Sequence, residues 1–294
     1  MKIFVFDIKS VIFWFTYIII ILYLVFSVKG GISLKRLIKF MAKVPIFGYS
    51  AQVAFYFLMS LFPFLYLLTR LTAVFSISSD KILNMIYFIF PEVTYELIYK
   101  NLYTLTAPSN PYTLWLYIIL CLWSSSMLIN SLKRIFAGGG SLPAPKRIIL
   151  RRATSIVITL VMAVAILFSL FATLAANIIV SFLTSYVKIK YFANLISLAI
   201  SFGVAVIDFT LIYIFIPSKP IKFTEAIPGA LFATVGYSVS SYLYSYYITY
   251  ISDYSKLYGA MGSIILLLVW LYISSMILIL GGFINKFFIS LKEE

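Results

Sequence analysis

ATSIVITLVMAVAILFSLFATLAAN, residues 153–177, runs for 25 positions without a charged side chain. Hydrocarbon about 30 Å thick is crossed by ~20 apolar residues in a helix, so this stretch is long enough to span a bilayer. Outward from it the pattern repeats at 11–28, 46–69, 113–132, 191–217, 226–251 and 263–288, with short polar breaks between. Hydrophobic residues make up 63% of the chain and charged ones 11%, against roughly half and a quarter in a soluble domain. No globular surface can be built from that composition. Because lipid offers the backbone no hydrogen bonds, the spanning elements must be helices or a closed barrel, and runs of this length select helices. The predicted fold is all-α: a polytopic transmembrane bundle with a six-helix core in residues 31–294, preceded by a membrane anchor in residues 1–30. The first run, 11–28, has no A-x-A site after it and reads as an uncleaved anchor rather than a signal peptide.

The formal net charge of +14 raises nucleic acid as a partner, but the position of the charges decides. Lys and Arg flank the apolar runs, and the aromatic residues lie inside or at the ends of those runs, as in an interfacial belt. Nucleic acid is therefore not an expected partner; membrane lipids are, and a homo-oligomer is compatible with the sequence. Cys121 is the single cysteine and there is no histidine, which removes intrachain disulfides, the commonest general base and the commonest transition-metal ligand. No cofactor and no catalytic residues are expected, and an enzyme is disfavoured.

Orientation follows from the breaks, because Lys and Arg are retained on the cytoplasmic side. Segment 29–45 holds Lys29, Lys35, Arg36, Lys39 and Lys43, and segment 133–152 holds Lys133, Arg134, Lys146, Arg147, Arg151 and Arg152. Between them, 70–112 has Arg70, Lys81 and Lys100 offset by Asp80, Glu92 and Glu96. The alternation predicts a multi-pass protein of the bacterial cytoplasmic (inner) membrane with a cytoplasmic C-terminus. FAGGGSLPAPKR (136–147) lacks the Lys-Ser/Thr of a phosphate-binding loop and reads as a solvated turn. KILNMIYFIFPEVTYELIYKNLYTL (81–105) is too polar to span and too apolar to be free, which predicts one or two helices lying in the outer interface.

Four stretches, in order, resemble the BrkB/YihY family of bacterial inner-membrane proteins: AQVAFYFLMSLFPF (51–64), LWSSSMLINSLKRIF (122–136), IPGALFA (227–233) and YSKLYGAMGSIILLLVWLYISSMILILGGFIN (254–285). The resemblance covers about residues 35–285. It implies a six-helix membrane core with both ends cytoplasmic, an envelope or serum-resistance role, and a transport role. The first anchor departs from the family, and so does the end of the last motif. There the family commonly has Gly-Ala-Glu-Leu-Asn, and this chain has Gly281, Gly282, Phe283, Ile284 and Asn285. The family was once labelled a transfer-RNA-processing ribonuclease; a nuclease needs water-facing metal carboxylates or a His pair, and neither is legible here.

Polar residues within the runs are the candidate substrate path, since ionisable groups in a bilayer are costly and usually face a bundle interior or a partner. Asp208 shares a helical stripe with Asn194, Ser197, Ser201 and Ala205. It is read either as a proton- or cation-responsive site or as a carboxylate paired with a basic neighbour. Thr234, Ser238, Ser241, Ser245 and Thr249 form a second stripe, a packing seam or a polar groove. Gln52, Tyr56 and Pro63 fall on one side of run 46–69, where Pro63 must free the carbonyl of Met59. Asn130 continues a patch begun by Trp123 and Ser124–126, and Tyr258 lies in the fourth motif. These residues predict a transporter or flippase of a lipid-like, envelope-related substrate, with a cavity bordered by Gln52, Asn130, Asp208 and Ser241. The alternative is a non-transporting scaffold or regulator of envelope assembly, in which the stripes are packing seams.

Overall fold

The computed structural model describes residues 36, 39–40, 44–75, 111–138, 145–186, 190–217, 219–250 and 260–293. The predicted anchor, the interfacial segment 81–105 and Tyr258 lie outside the described residues. Among the described residues six helices follow in order: α1 (Ile46–Phe75), α2 (Pro111–Phe136), α3 (Pro145–Tyr186), α4 (Lys190–Phe215), α5 (Phe223–Tyr250) and α6 (Ala260–Glu293). No strand occurs among the described residues, and the chain is an all-α membrane bundle.

Among the described residues, five helices, all but α5, are long and apolar enough to cross a membrane. α5 sits at the position of the predicted run 226–251 and falls short because Ser, Thr and Tyr fill its second half. The largest difference from the predicted boundaries is α3, whose 42 residues make a rod about 60 Å long at 1.5 Å per residue. Such a rod outruns the hydrocarbon, so the basic stretch from Lys146 to Arg152, expected in a polar break, is already helical. Pro145 opens the helix, where its missing N–H costs nothing.

Each helix packs antiparallel on the next in the chain, α6 returns to α1, and the ring closes with α6 also touching α2. The ends where α1, α3 and α5 begin and α2, α4 and α6 finish meet at one end of the bundle, here termed the basic end. All six helices are tied together there. Val53 of α1, Ile129, Leu132 and Ile135 of α2, Ile216 just past α4, and Ile279 and Phe283 of α6 form one buried cluster against which Ile158 of α3 packs. Ala226, Ala230 and Ala233 of α5 join Tyr213 of α4 in a second. Further along, Ala54, Leu58, Leu61 and Leu65 of α1 pack with Tyr244 of α5 and Leu266, Leu267, Trp270 and Leu271 of α6. Their spacing of three and four along α1 is the stripe a helix needs to bury one face.

The crossing of α5 and α6 at the basic end brings two backbones together. A Cβ on Gly229 would lie 2.1 Å from the carbonyl oxygen of Gly281, and one on Gly281 would lie 2.2 Å from the Tyr213 hydroxyl. Neither position can hold a larger residue without moving main chain, which is the usual role of small residues where membrane helices touch.

α5 is capped at its start. Glu225 Oε2 accepts from the Lys222 backbone N–H at 3.1 Å, the reciprocal half of a capping box, and its Oε1 pairs with Lys292 of α6 at 3.2 Å. The Lys222 N–H first and Lys292 second hold the Glu225 carboxyl below its ordinary 4.5. A carboxylate with a lowered folded pKa contributes stability above its unfolded pKa and loses it as pH falls through the folded value. The gap in melting temperature between the native chain and Glu225→Gln is thus expected to be full near neutral pH and to close on acidification below 4.5; a gap independent of pH would contradict the pairing.

Candidate functional site

Three polar contacts cross three different helix seams, and each holds a residue predicted for the substrate path. In the α1–α2 seam, Arg134 donates through Nη2 to Gln52 Oε1 at 3.0 Å. In the α3–α4 seam, Ser169 donates to Asp208 Oδ1 at 2.5 Å. In the α5–α6 seam, Trp270 Nε1 donates to Ser241 Oγ at 3.3 Å. Each helix supplies one member because the antiparallel ring sets opposed positions of neighbouring helices at the same height.

Asp208 lies seven residues before the end of the apolar span Ile196–Phe215, about 10 Å along the helix axis from it. Among the described residues, the contact of this carboxylate is a hydroxyl from the adjacent helix. On the same stripe Ser197 is buried while Ser201 is exposed. The side chain of Asn194 is outside the described set.

Gln52 and Asn130 are brought to the same end of the bundle. Asn130 stands one turn before Arg134, half-buried, with an Oδ1 that has no hydrogen-bond partner. Tyr56 is half-buried one turn beyond Gln52, and Pro63 lies within α1, which is assigned as one helix from Ile46 to Phe75. Ser241 belongs to the other half of the ring. Two hydroxyls of the α5 stripe return to their own helix: Thr234 donates to Ala230 O at 2.9 Å and Ser238 to Thr234 O at 2.8 Å.

Several residues that sequence reasoning had assigned only to topology prove to be engaged inside the bundle. Lys133 is buried at 6% exposure and donates to Thr154 Oγ1 of α3 at 3.1 Å. The guanidinium of Arg152 stacks on the Trp123 ring of α2, 3.8 Å from its centroid. The signal available in sequence was the spacing of Trp123, Asn130 and Arg134 by seven and four, one helix face carrying aromatic, amide and cation. Asn285, which closes the fourth sequence motif, is engaged as well. Fully buried, it accepts from Gly229 N–H at 2.6 Å and donates to Ala226 O at 3.1 Å, clamping α6 to the start of α5. Tyr213 adds a bond to Leu278 O at 2.9 Å. Phe283, at the position where the family resemblance implies an acid, is buried in the apolar cluster between α1, α2 and α6.

Among the described residues, no three His, Cys, Asp or Glu side chains come together as a metal site. The described carboxylates Asp208 and Glu225 stand in different seams, one on a serine and one on a lysine.

Residues 37–293 match the family model described as virulence factor BrkB. The chain belongs to the BrkB family. Among its relatives, the ribonuclease-like protein YfkH of Bacillus subtilis (strain 168) is 33% identical over 240 residues, 80% of this chain and 87% of YfkH. The UPF0761 membrane protein PSHAa0171 of Pseudoalteromonas translucida is 31% identical over 91 residues, 30% of its length. The UPF0761 membrane protein IL2447 of Idiomarina loihiensis is 36% identical over 85 residues, 29% of its length. No solved structure matches. Membership agrees with the bundle: this BrkB-family chain is a multi-pass membrane protein, and the matched residues contain all six helices.

Proposed function

We propose that this BrkB-family protein transports or flips a lipid-like, amphipathic substrate of envelope chemistry across the bacterial cytoplasmic membrane, with its basic end and C-terminus in the cytoplasm. The observation that carries the proposal is Asp208, a carboxylate well inside an apolar span that bonds a serine of the neighbouring helix. A charge-bearing group in a bilayer is expensive and normally retained for a path, a relay or a partner. Gln52, Arg134 and Asn130 add polar groups at the basic end, and Lys and Arg concentrated there fit retention on the cytoplasmic side. The chain is proposed not to be an enzyme, since it has no histidine and its described carboxylates are unpaired with one another.

One observation favours the scaffold reading instead. Thr234 and Ser238 bond their own backbone, and Ser241 meets Trp270 in a packed seam, as expected of helix-contact residues.

Flipping of fluorescent lipids in proteoliposomes separates the two. The native chain is expected to exceed empty vesicles, and Asp208→Asn or Gln52→Ala to slow it about tenfold, the effect of removing ~1.4 kcal/mol from the transition state. Equal signals from native and empty vesicles would favour the scaffold.

A further inference from the structure

We propose that the α2–α3 seam binds a phosphoryl anion, the phosphate diester of an anionic lipid headgroup or a free phosphate, on the guanidinium of Arg152. The inference rests on the transport reading for its purpose, but its geometry stands separately. Arg152 begins the apolar span of α3 and reaches Trp123, which lies 13 residues before the end of α2, about 20 Å along that axis. A guanidinium at the centre of a bilayer costs about 2.5–3.5 kcal/mol; at the start of a span, where Arg152 stands, the cost is smaller but still calls for a partner. The indole face compensates in part, because a cation over an aromatic ring is worth roughly 0.5–2 kcal/mol. Stacking occupies the plane of the guanidinium and leaves its edge, and on that edge Nη2 is buried without a hydrogen-bond partner.

No described carboxylate answers it. Asp208 is bonded to Ser169, and Glu225 to Lys222 and Lys292. The surroundings are instead cationic and polar. Lys133 of α2 donates to Thr154, two residues from Arg152 on α3, and so brings a second cation into the same seam. A planar fork of N–H donors with an unused edge in a positive field matches the oxygens of a phosphate, the geometry in which Arg is preferred to Lys. A neutral ligand would leave the field unanswered, and a carboxylate peptide would have to enter from lipid. The exposed apolar flank formed by Trp123, Val157, Leu160 and Val164 places acyl chains beside the same seam.

Binding is tested on the full chain in neutral detergent with phosphatidylglycerol, phosphatidylcholine and inorganic phosphate as probes. Native protein is expected to hold phosphatidylglycerol over phosphatidylcholine, and Arg152→Gln to weaken it about tenfold or more, the loss of one charge-assisted contact. Arg152→Lys keeps the charge without the fork and is expected to fall between, which preserves the test if the glutamine variant folds poorly. Lys219→Gln, an exposed lysine at the same end, should leave binding unchanged. Phosphatidylglycerol retained in excess inorganic phosphate assigns the site to the headgroup; displacement assigns it to the free anion. Equal affinity of native and Arg152→Gln, or equal weakening by Lys219→Gln, would overturn the site. Because binding is read in detergent, failure of flipping alone would count against the transport reading and not against the site.

Discussion

Gly229→Ala is expected to destabilise the bundle by about 2 kcal/mol or more, although the substitution adds only a methyl group. Two effects oppose each other. Alanine is the better helix former by about 1 kcal/mol, so an uncrowded glycine gains from the change. At Gly229 the new Cβ would sit 2.1 Å from Gly281 O and 2.6 Å from the Asn285 amide. Overpacking of a closed interior costs typically 1–3 kcal/mol, more where no side chain can swing away, and here the obstacle is backbone. The clash should prevail by about 2 kcal/mol or more. Gly281→Ala should behave alike, since its Cβ would meet the Tyr213 hydroxyl and Gly229 O. Gly236→Ala meets only the Ile277 side chain, and Gly48→Ala and Gly203→Ala meet nothing within 4 Å. Thermal unfolding in detergent should rank them in that order, with Gly48→Ala and Gly203→Ala at or above native. A ranking that ignores the α5–α6 crossing would contradict the close approach.

Asn285→Leu is expected to cost nearly as much, for a different reason. Leucine keeps the volume and improves the apolar match, yet it leaves the Gly229 N–H and the Ala226 carbonyl without the partners they have at 2.6 and 3.1 Å. A hydrogen bond of this kind is worth about 0.5–1.5 kcal/mol net, so losing two should cost roughly 1–3 kcal/mol. Because Gly229 and Asn285 touch, the double variant should lose less than the sum of the single losses. Full additivity, or a leucine variant as stable as native, would mean that the amide is not the clamp.

The fold was largely legible in sequence because hydrophobic runs longer than ~20 residues leave the chain few alternatives. Run 46–69 became α1 and run 263–288 became α6, each extended by a few residues. Run 153–177 grew most, since the basic residues before it can continue a helix in water. What periodicity could not supply was the pairing of helices. Asp208 was visible as an isolated charge in an apolar run, but its serine partner is 39 positions away, and nothing in either stripe selects the other. Asn285 and Gly229 are separated by 56 positions; only the structure shows that the two motifs containing them are halves of one joint. The basic residues of 133–152 were read by sign alone, as markers of sidedness. Their depth depends on how far a long side chain extends along a neighbouring helix, a quantity that a one-dimensional pattern does not hold.

The measurement that tests the account most directly is the ratio of flipping rates for phosphatidylglycerol and phosphatidylcholine probes in proteoliposomes of the native chain, corrected for empty vesicles. Transport of an anionic amphiphile along the polar seams predicts a rate above background for both and a clear preference for phosphatidylglycerol, diminished by Arg152→Gln. Rates no greater than those of empty vesicles, at a protein content where the chain is folded, would contradict it.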